Sequence, residues 1–422
     1  MLSTPEEISQ PVSQSQEELR DAYRAANQDV LTDLYLETPN EDWNNKISDV
    51  IVVLCASRSG SSLIFNALTS TGQVAAPGGE HEPWLTISEN KFPFQNSDAL
   101  NGKITNKPLL LKLLRSDLLV RDRRLDTTDA IIPLRNRLVL RGQSDTDGFP
   151  ELMAGITRRG DVLRPEWNQV MQDVGKLAIK PMPIKIKEFG DNALGLPLEN
   201  PPLIDQPLAH IATGEELKNL PILFKSPSDA YRLGFYEELF PNATINYIHL
   251  TRGFIQTTNG LMDGWQKNDV DFISNPVGLV VPLNIEDYSI TDMTRAYWCF
   301  DLFEDWKSYS DKTLLEVCAQ QWIAAHSSIV ENFAPNSQLK FENFYTNPRE
   351  FYRQLSELTG IDTAGYDWTE SVMSTEPPSH RRWLKRATLF RNIRKYLPSE
   401  VMQRASELQD HLGYTDDETT WH

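Results

Sequence analysis

The chain has few of the residues that build disulfide frameworks or metal sites. Only three cysteines occur in 422 residues, at Cys55, Cys299 and Cys318, and they stand far apart. This spacing provides neither a disulfide framework nor a C-x-x-C metal pattern. The seven histidines form no cluster with the spacing of metal ligands. We therefore expect no metal cofactor and predict a reducing, cytoplasmic setting.

Long apolar runs and an excess of positive charge are also missing. No apolar run approaches the ~20 residues that a bilayer-spanning helix needs, so we expect no membrane span. The first residues are polar and acidic, which is unlike a signal peptide. Lys and Arg number 41 against 59 Asp and Glu, giving a net charge of −18. Such an acidic surface argues against nucleic acid as a partner, and the composition leaves the oligomeric state unknown.

One stretch near the start of the chain organises the rest. Val50 to Leu54 is a short, β-branched, charge-free run, which is typical of a strand buried on both faces. A helical pattern begins at Leu63. Between them lies a small polar loop of Ser57, Arg58, Ser59, Gly60, Ser61 and Ser62. Strand, small-residue turn and helix together direct backbone N–H groups and a helix dipole at an anion, so we predict a phosphate-binding loop.

Two later strand–loop–helix units indicate the fold class. A short apolar strand ends at Lys225, and a second strand, Ile245 to Leu250, is followed by Arg252. In open α/β sheets, ligands bind at the edge where the strands end. We predict an α/β, three-layer P-loop-like fold with a central, mainly parallel sheet flanked by helices, plus a large helical and loop insertion.

The expected domain organisation is simple. Residues 1–45 form an N-terminal tail and a helix that opens with a capping box of Ser15 and Glu18. Residues 46–420 form a single domain, in which 91–220 are an insertion that contributes to an acceptor pocket or lid. A structureless loop of that length would be improbable. Three tryptophans, Trp84, Trp265 and Trp298, hint at an apolar or ring-bearing acceptor, although buried aromatics more often belong to the core.

Four segments, taken in chain order, resemble motifs of the sulfotransferases that use 3′-phosphoadenosine-5′-phosphosulfate (PAPS). They are the loop 57–62, Lys225-Ser226-Pro227, the strand 247–252 ending in Thr251-Arg252, and Phe341-Glu342-Asn343-Phe344 with Asn347-Pro348 and Gly360. The Arg-Ser-Gly loop is similar to that of the carbohydrate- and tyrosine-sulfating branches. The resemblance implies transfer of a sulfuryl group from PAPS to a hydroxyl, less readily an amine, of a small-molecule acceptor by in-line displacement. The desulfated product is PAP.

The resemblance also implies how the co-substrate is held. Backbone N–H groups of Ser59 to Ser62 would bind the 5′-phosphate, and Arg58 would neutralise charge on the bridging oxygen. Lys225 would hold the sulfuryl group. Arg252 would hold the 3′-phosphate, and Arg382 would close over it. Because Gly260 stands where the family usually has a serine, a polar neighbour such as Thr257, Thr258 or Asn259 would complete that contact.

A proton acceptor is expected in the loop after the first helix. The histidine that often follows the Lys-x-Pro step is absent, and Asp229 stands nearby instead. Family branches without that histidine commonly use a glutamate about twenty residues after the phosphate loop, where this chain has Glu80. His81 and Glu82 are the next candidates. Glu342 is expected to pair locally as a structural residue.

Two other functions stay open at this level. A nucleotide or small-molecule kinase of P-loop type would also need a phosphate loop, but the full G-x-x-x-x-G-K-[ST] pattern is absent. A non-catalytic protein that binds PAPS or PAP is the second alternative, because a fold does not by itself imply a function.

Overall fold

The structure is a computed structural model that describes residues 15–34, 36, 42–100, 103–121, 136, 209–266, 273–288, 297–363, 366 and 381–421. The predicted tail of 1–14 lies outside these residues. So does most of the predicted insertion, in 122–135 and 137–208. The expected division into domains therefore stays a prediction.

The described elements alternate between strands and helices along most of the chain. The strands are β1 (Asp49–Leu54), β2 (Ala76–Pro77), β3 (Leu118–Arg121), β4 (Ala209–Ile211), β5 (Ile222–Phe224), β6 (Thr244–Thr251), β7 (Ile273–Asn275), β8 (Trp298–Cys299) and β9 (Ser337–Lys340). The α-helices are α1 (Gln16–Asp33), α2 (Ser61–Thr69), α3 (Glu82–Ile87), α4 (Lys107–Arg115), α5 (Glu216–Asn219), α6 (Phe235–Leu239), α7 (Phe254–Trp265), α8 (Leu314–Asn332), α9 (Glu342–Thr346), α10 (Pro348–Thr359), α11 (Ala387–Arg391) and α12 (Ser399–His411). Short 3₁₀ helices lie at Trp43–Lys46, Pro227–Tyr231, Val277–Leu279, Trp306–Tyr309, Arg382–Arg386, Ile393–Lys395 and Glu418–Thr420.

The central sheet has four parallel strands in the order β5, β1, β6, β9. Strand β1 lies inside this sheet, with Val50 opposite both Ile222 of β5 and Ile245 of β6. Because its residues alternate between two faces, Val50, Val52 and Leu54 join one hydrophobic cluster and the residues between them join another. The predicted parallel sheet is confirmed.

Helices cover both faces of this sheet. Helices α2 and α10 contribute Leu63 and Phe351 to the cluster on one face. Helices α7 and α8 contribute Leu261 and Trp322 to the other. Both faces of a parallel sheet need such cover, which explains why β1 carries no charged residue after Asp49. The predicted α/β architecture with flanking helices is therefore confirmed.

Several helix boundaries follow from local sequence signals. Ser15 and Glu18 form the predicted capping box at the start of α1. The sequence also predicts a helix that Asn347 caps and Gly360 ends, and the structure has α10 there, with a φ of +72° at Gly360. The pattern of residues 313 to 333 predicts a buried amphipathic helix, which is α8, capped by Thr313. These predictions are confirmed.

Two predicted elements differ from the structure. The sequence after Lys225-Ser226-Pro227 predicts one helix from about 229 to 240. The structure has a 3₁₀ helix, Pro227–Tyr231, and a separate α6, because Gly234 adopts a φ of +65° between them. The sequence from 339 to 344 predicts a strand. The structure has β9, which ends at Lys340, and then α9, which begins at Glu342.

The described part of the predicted insertion contains regular structure. It includes α4, β3 and β4, and β3 pairs antiparallel with both β2 and β4. Strand β2 follows α2, so this small sheet joins the insertion to the segment that carries Glu80. Across the residues that the structure describes, no helix combines the length and the hydrophobicity that a bilayer span requires.

Candidate active site

The loop after β1 turns through two left-handed residues. Arg58 has a φ of +67° and Gly60 a φ of +91°. A Cβ atom on Gly60 would lie 2.2 Å from Cε2 of Phe341, the residue that follows β9. Glycine is therefore required here twice, for its backbone angle and for the close approach of the phenylalanine ring.

The start of α2 offers hydrogen-bond donors. Gly60 is the N-cap of this helix, and no side chain caps it. The hydroxyl of Ser59 is buried and has no partner among the described residues. In contrast, the hydroxyl of Ser57 donates to Oδ1 of Asp301 at 2.8 Å. Ser59 and the first turn of the helix are thus suited to an anion, whereas the hydroxyl of Ser57 is already used.

A second helix begins without a side-chain cap at the neighbouring strand. Gly253 is the N-cap residue of α7 and lies two residues after the end of β6. No side chain caps this helix. Because β1 and β6 are parallel neighbours, the starts of α2 and α7 lie at the same edge of the sheet. Both helix dipoles therefore add positive potential at that edge.

Three arginines lie at this edge, and the positive charges of two of them act on the third. Burial, and then the nearby positive charges of Arg252 and Arg382, lower the pKa of Arg58 to about 10. Nη1 of Arg252 donates to the carbonyl oxygen of Arg58 at 3.0 Å. Its guanidinium carbon lies 5.0 Å from the centre of the Phe341 ring, and its buried Nε has no partner in the described part of the chain. Such a cluster of like charges is stabilised by an anion.

The three polar candidates on α7 have different surroundings. The hydroxyl of Thr257 lies 3.5 Å from the carbonyl oxygen of Arg252. Oδ1 of Asn259 accepts a hydrogen bond from Nη1 of Arg386 at 2.7 Å. Thr258 is fully buried, and its hydroxyl has no partner among the described residues. A Cβ on Gly260 would lie 3.2 Å from Cβ of Arg58, so this glycine allows α7 to pack against the loop. The roles of Thr258 and Asn259 in binding stay predictions.

Lys225 lies on the other side of the loop, directly after β5. Its side chain is buried, and its ammonium group forms an ion pair with Glu80. The same ammonium group lies 3.5 Å from the hydroxyl of Ser62. The structure therefore brings together the predicted sulfuryl-binding lysine, the first predicted base and the end of the phosphate loop.

Glu82 is held by several donors. Its carboxylate accepts from the hydroxyl of Ser226, from Lys91 at 2.5 Å and from Arg232 at 2.7 Å. Burial alone would raise the pKa of Glu82, but Arg232, Lys91 and His81 together hold it well below its ordinary value. A carboxylate in this setting remains ionised and anchors its neighbours.

His81 and Asp229 belong to the same buried network. Nε2 of His81 lies 3.0 Å from Nη1 of Arg232 and 3.3 Å from Oδ1 of Asp229. Burial would raise the pKa of Asp229, but the charges of His81 and Arg232 lower it. The side chain of Glu80 is 25 % exposed, compared with 14 % for Glu82 and 1 % for His81. Of these three predicted bases, Glu80 is the one that an acceptor reaches most easily.

The sequence analysis did not identify Asp301, whose buried carboxylate is hydrogen-bonded to the phosphate loop. Its two carboxylate oxygens accept from the hydroxyls of Ser57 at 2.8 Å and Tyr231 at 2.7 Å. Burial raises its pKa to about 6 despite these bonds. Phe300, just before it, has a φ of +67°, which is strained for an aromatic residue. The only sequence signal was a carboxylate within an aromatic stretch, and Glu304 and Asp305 follow it in the same stretch.

Other predicted residues have structural surroundings. Glu342 accepts from the N–H of Gly253 at 2.8 Å and from the hydroxyl of Tyr414 at 2.9 Å, which are 89 and 72 positions away in the sequence, so its partners are distant and not local as expected. Trp84, Trp265 and Trp298 are buried in the core, where each indole N–H has a protein acceptor. Within the described ranges, no group of three or more His, Cys, Asp or Glu is placed to hold a metal ion.

Comparisons with known proteins give similarity in fold alone. No family model matches the sequence, and a search among curated proteins finds no match. Two solved structures that are similar to the chain are sulfotransferase domains. The domain from the curacin biosynthetic pathway is 15% identical, with a TM-score of 0.37, covering 87% of this chain and 99% of that one. The domain from the Synechococcus PCC 7002 olefin synthase is 13% identical, with a TM-score of 0.38, covering 91% of this chain and 100% of that one. At these identities and TM-scores, function has to be inferred from the residues of this chain.

Proposed function

We propose that this chain is a sulfotransferase that moves the sulfuryl group of PAPS to a hydroxyl, less readily an amine, of a small molecule. The observation that carries the proposal is the order of charges along one edge of the sheet. Strand order β5, β1, β6 puts the Lys225–Glu80 pair on one side of the loop and Arg252 on the other. A ligand with phosphate at one end and a reactive sulfuryl group at the other matches that order.

The residues at the anion site fit the phosphates of such a ligand. The hydroxyl of Ser59 and Nε of Arg252 are buried atoms without a partner among the described residues. Phosphate oxygens accept hydrogen bonds from both kinds of donor. The uncapped starts of α2 and α7 add backbone N–H groups. PAPS supplies the activated sulfuryl group, and the protein supplies positioning and charge.

The chemistry requires little more than alignment and electrostatic stabilisation. The acceptor oxygen forms a bond to sulfur while the bond between sulfur and the bridging phosphate oxygen breaks. Arg58 and the loop N–H groups stabilise the negative charge that moves onto the leaving phosphate. Lys225 holds the sulfuryl oxygens, and Glu80 takes the proton of the acceptor. The products are the sulfated acceptor and PAP.

Calorimetry with PAP tests the binding half of the proposal. We expect Arg58→Ala to weaken PAP binding by ten-fold or more, since a charged hydrogen-bonding contact is lost. Arg353→Ala is the matched control, because Arg353 is an exposed arginine on α10 that pairs with Glu350. A wild-type protein without affinity for PAP, and with magnesium-dependent turnover of ATP, would overturn the proposal in favour of a kinase.

Transfer of labelled sulfate from PAPS tests the catalytic half. Small-molecule extracts incubated with protein and PAPS are searched by mass spectrometry for products heavier by one sulfuryl group. We expect Glu80→Gln to keep PAP affinity and to slow transfer by about 10²- to 10⁴-fold, the usual contribution of a general base. PAP binding without transfer to any alcohol, phenol or amine would instead indicate a non-catalytic binding protein.

A further inference from the structure

Gln256, in the first turn of α7, is a buried amide without partners. It is 5 % exposed, and neither its Oε1 nor its Nε2 has a hydrogen-bond partner among the described residues. Buried side-chain amides in native proteins are nearly always hydrogen-bonded, so each exception calls for a cause. The absence of both partners on one amide points to a group that a ligand completes.

The backbone N–H that would normally bond to Gln256 already donates to another side chain. A glutamine at the third position of a helix often reaches back to the N–H of the N-cap residue. In this chain, the N–H of Gly253 donates to Glu342 instead, at 2.8 Å. A Cβ on Gly253 would lie 2.5 Å from Oε1 of Gln256. Because Gly253 has no Cβ, the amide of Gln256 fits beside the first turn of the helix. Because Glu342 accepts the N–H of Gly253, that N–H is not a donor to Gln256.

The amide lies on the face of α7 that meets the arginines. Successive helix residues turn by about 100°, so Gln256, Gly260 and Asp263 share one face. On that face Gly260 packs against Arg58, and Asp263 accepts a hydrogen bond from Arg386 at 2.6 Å. Thr258 is rotated by about 200° from Gln256 and belongs to the opposite face. Gln256 is one turn closer to the start of the helix, where Arg252 lies.

We propose that Gln256 binds the ligand at the arginine cluster and accepts a hydrogen bond from a hydroxyl group next to the ligand's phosphate. The inference rests on the proposed function and deepens it. A phosphate dianion only accepts hydrogen bonds, so it satisfies the N–H donors of the amide but not the carbonyl oxygen. The guanidinium groups of the arginine cluster bind the phosphate. The carbonyl oxygen of Gln256 then takes its donor from the ligand, and the donor nearest the 3′-phosphate of PAP is the 2′-hydroxyl of the ribose.

Calorimetry with PAP and with its 2′-deoxy analogue tests this assignment. We expect the wild-type protein to bind PAP about five- to ten-fold more tightly than the analogue, which is the usual effect of one neutral hydrogen bond. Gln256→Met, which keeps the length of the side chain, should bind PAP more weakly and the two ligands equally. Gln256→Asn, whose amide is one methylene shorter, serves the same purpose if methionine prevents folding.

Controls separate this inference from the proposed function. Gln403→Met, at an exposed glutamine of α12, should discriminate as the wild type does. Discrimination that persists in both Gln256 variants, or that is lost in Thr258→Val instead, overturns the inference. A wild-type protein that binds both ligands equally also overturns it, while leaving the proposed function intact. A wild-type protein that binds neither ligand overturns both.

Discussion

Gly60 is the position where a single methyl group should do most damage to the loop. Gly60→Ala places a Cβ in a left-handed backbone conformation, which costs roughly 1–2 kcal/mol. The same atom would lie 2.2 Å from the ring of Phe341. Forcing additional atoms into a packed site typically costs about 1–3 kcal/mol. Alanine also restricts the unfolded chain, which offsets ~0.4–1 kcal/mol of this cost. We therefore expect the free energy of unfolding to fall by about 1–5 kcal/mol.

A matched glycine separates the two contributions. Gly234 has a φ of +65°, and a Cβ there would meet nothing within 4 Å. Gly234→Ala should cost only the backbone strain, reduced by the ~0.4–1 kcal/mol that alanine gains by restricting the unfolded chain. Urea unfolding of both variants and the wild type measures the difference. Equal losses at Gly60 and Gly234 would refute the steric argument.

The ring contact can also be tested from its other side. In a double-mutant cycle, Phe341→Leu should relieve part of the cost of Gly60→Ala, with a coupling of about 1–3 kcal/mol. Phe341→Leu alone removes the ring that lies 5.0 Å from the guanidinium of Arg252, worth about 0.5–1 kcal/mol at a partly exposed site. Additive losses would show that the ring moves aside without strain.

Two further predictions concern acid and the basic segment. Burial lowers the pKa of His249 to about 4, against ~6.5 when unfolded, so its protonation should lower stability by up to ~3 kcal/mol as the pH falls from about 6.5 to 4. Burial raises the pKa of Asp301 to about 6, so its contribution has the opposite sign, and stability falls as the pH rises from about 4 to 6. Urea unfolding at several pH values should therefore show that the free energy of unfolding falls more steeply with acid in Asp301→Asn than in the wild type. The same pH dependence in both proteins would contradict this. Arg386 holds Asp263, whose charge also acts on Arg58. Lys385 pairs with the same carboxylate, so Arg386→Gln removes one of its two cations and should weaken PAP binding several-fold. A second change, Asp263→Asn, should restore binding; calorimetry showing no rescue would exclude the mechanism.

The sequence was sufficient to predict what parallel strands impose. A charge-free run such as Val50 to Leu54 has to be buried between other strands. Residues that follow neighbouring parallel strands must then meet at one edge, which is how Lys225 and Arg252 could be placed at the same edge as the loop. Their positions on either side of the loop come from the strand order in the structure. Local signals also sufficed for helix ends, as at Asn347 and Gly360, because caps depend on only a few adjacent residues.

Contacts between distant segments could not be predicted in this way. The bond from Ser57 to Asp301 joins residues 244 positions apart, and no local pattern specifies it. The orphaned amide of Gln256 depends on Glu342 having bonded Gly253, a relation that only the packed structure reveals. The different surroundings of Glu80 and Glu82 were equally hidden, because Lys225, which pairs with Glu80, and Arg232, which pairs with Glu82, come from distant segments.

Lys225 is the cation whose partners should change most when the co-substrate binds. It is buried and already ion-paired with Glu80, and its ammonium group lies 3.5 Å from Ser62 at the end of the loop. A sulfuryl group entering there brings a second anion to the same cation. A lysine has three N–H donors on a flexible stem, so it can turn to the sulfuryl oxygens and leave the Glu80 carboxylate free to take the acceptor's proton. Because PAP carries no sulfuryl group, Lys225→Met should slow sulfate transfer far more than it weakens PAP binding, as measured by single-turnover kinetics and calorimetry. Equal losses in rate and in PAP affinity would contradict this coupling between binding of the co-substrate and release of the base.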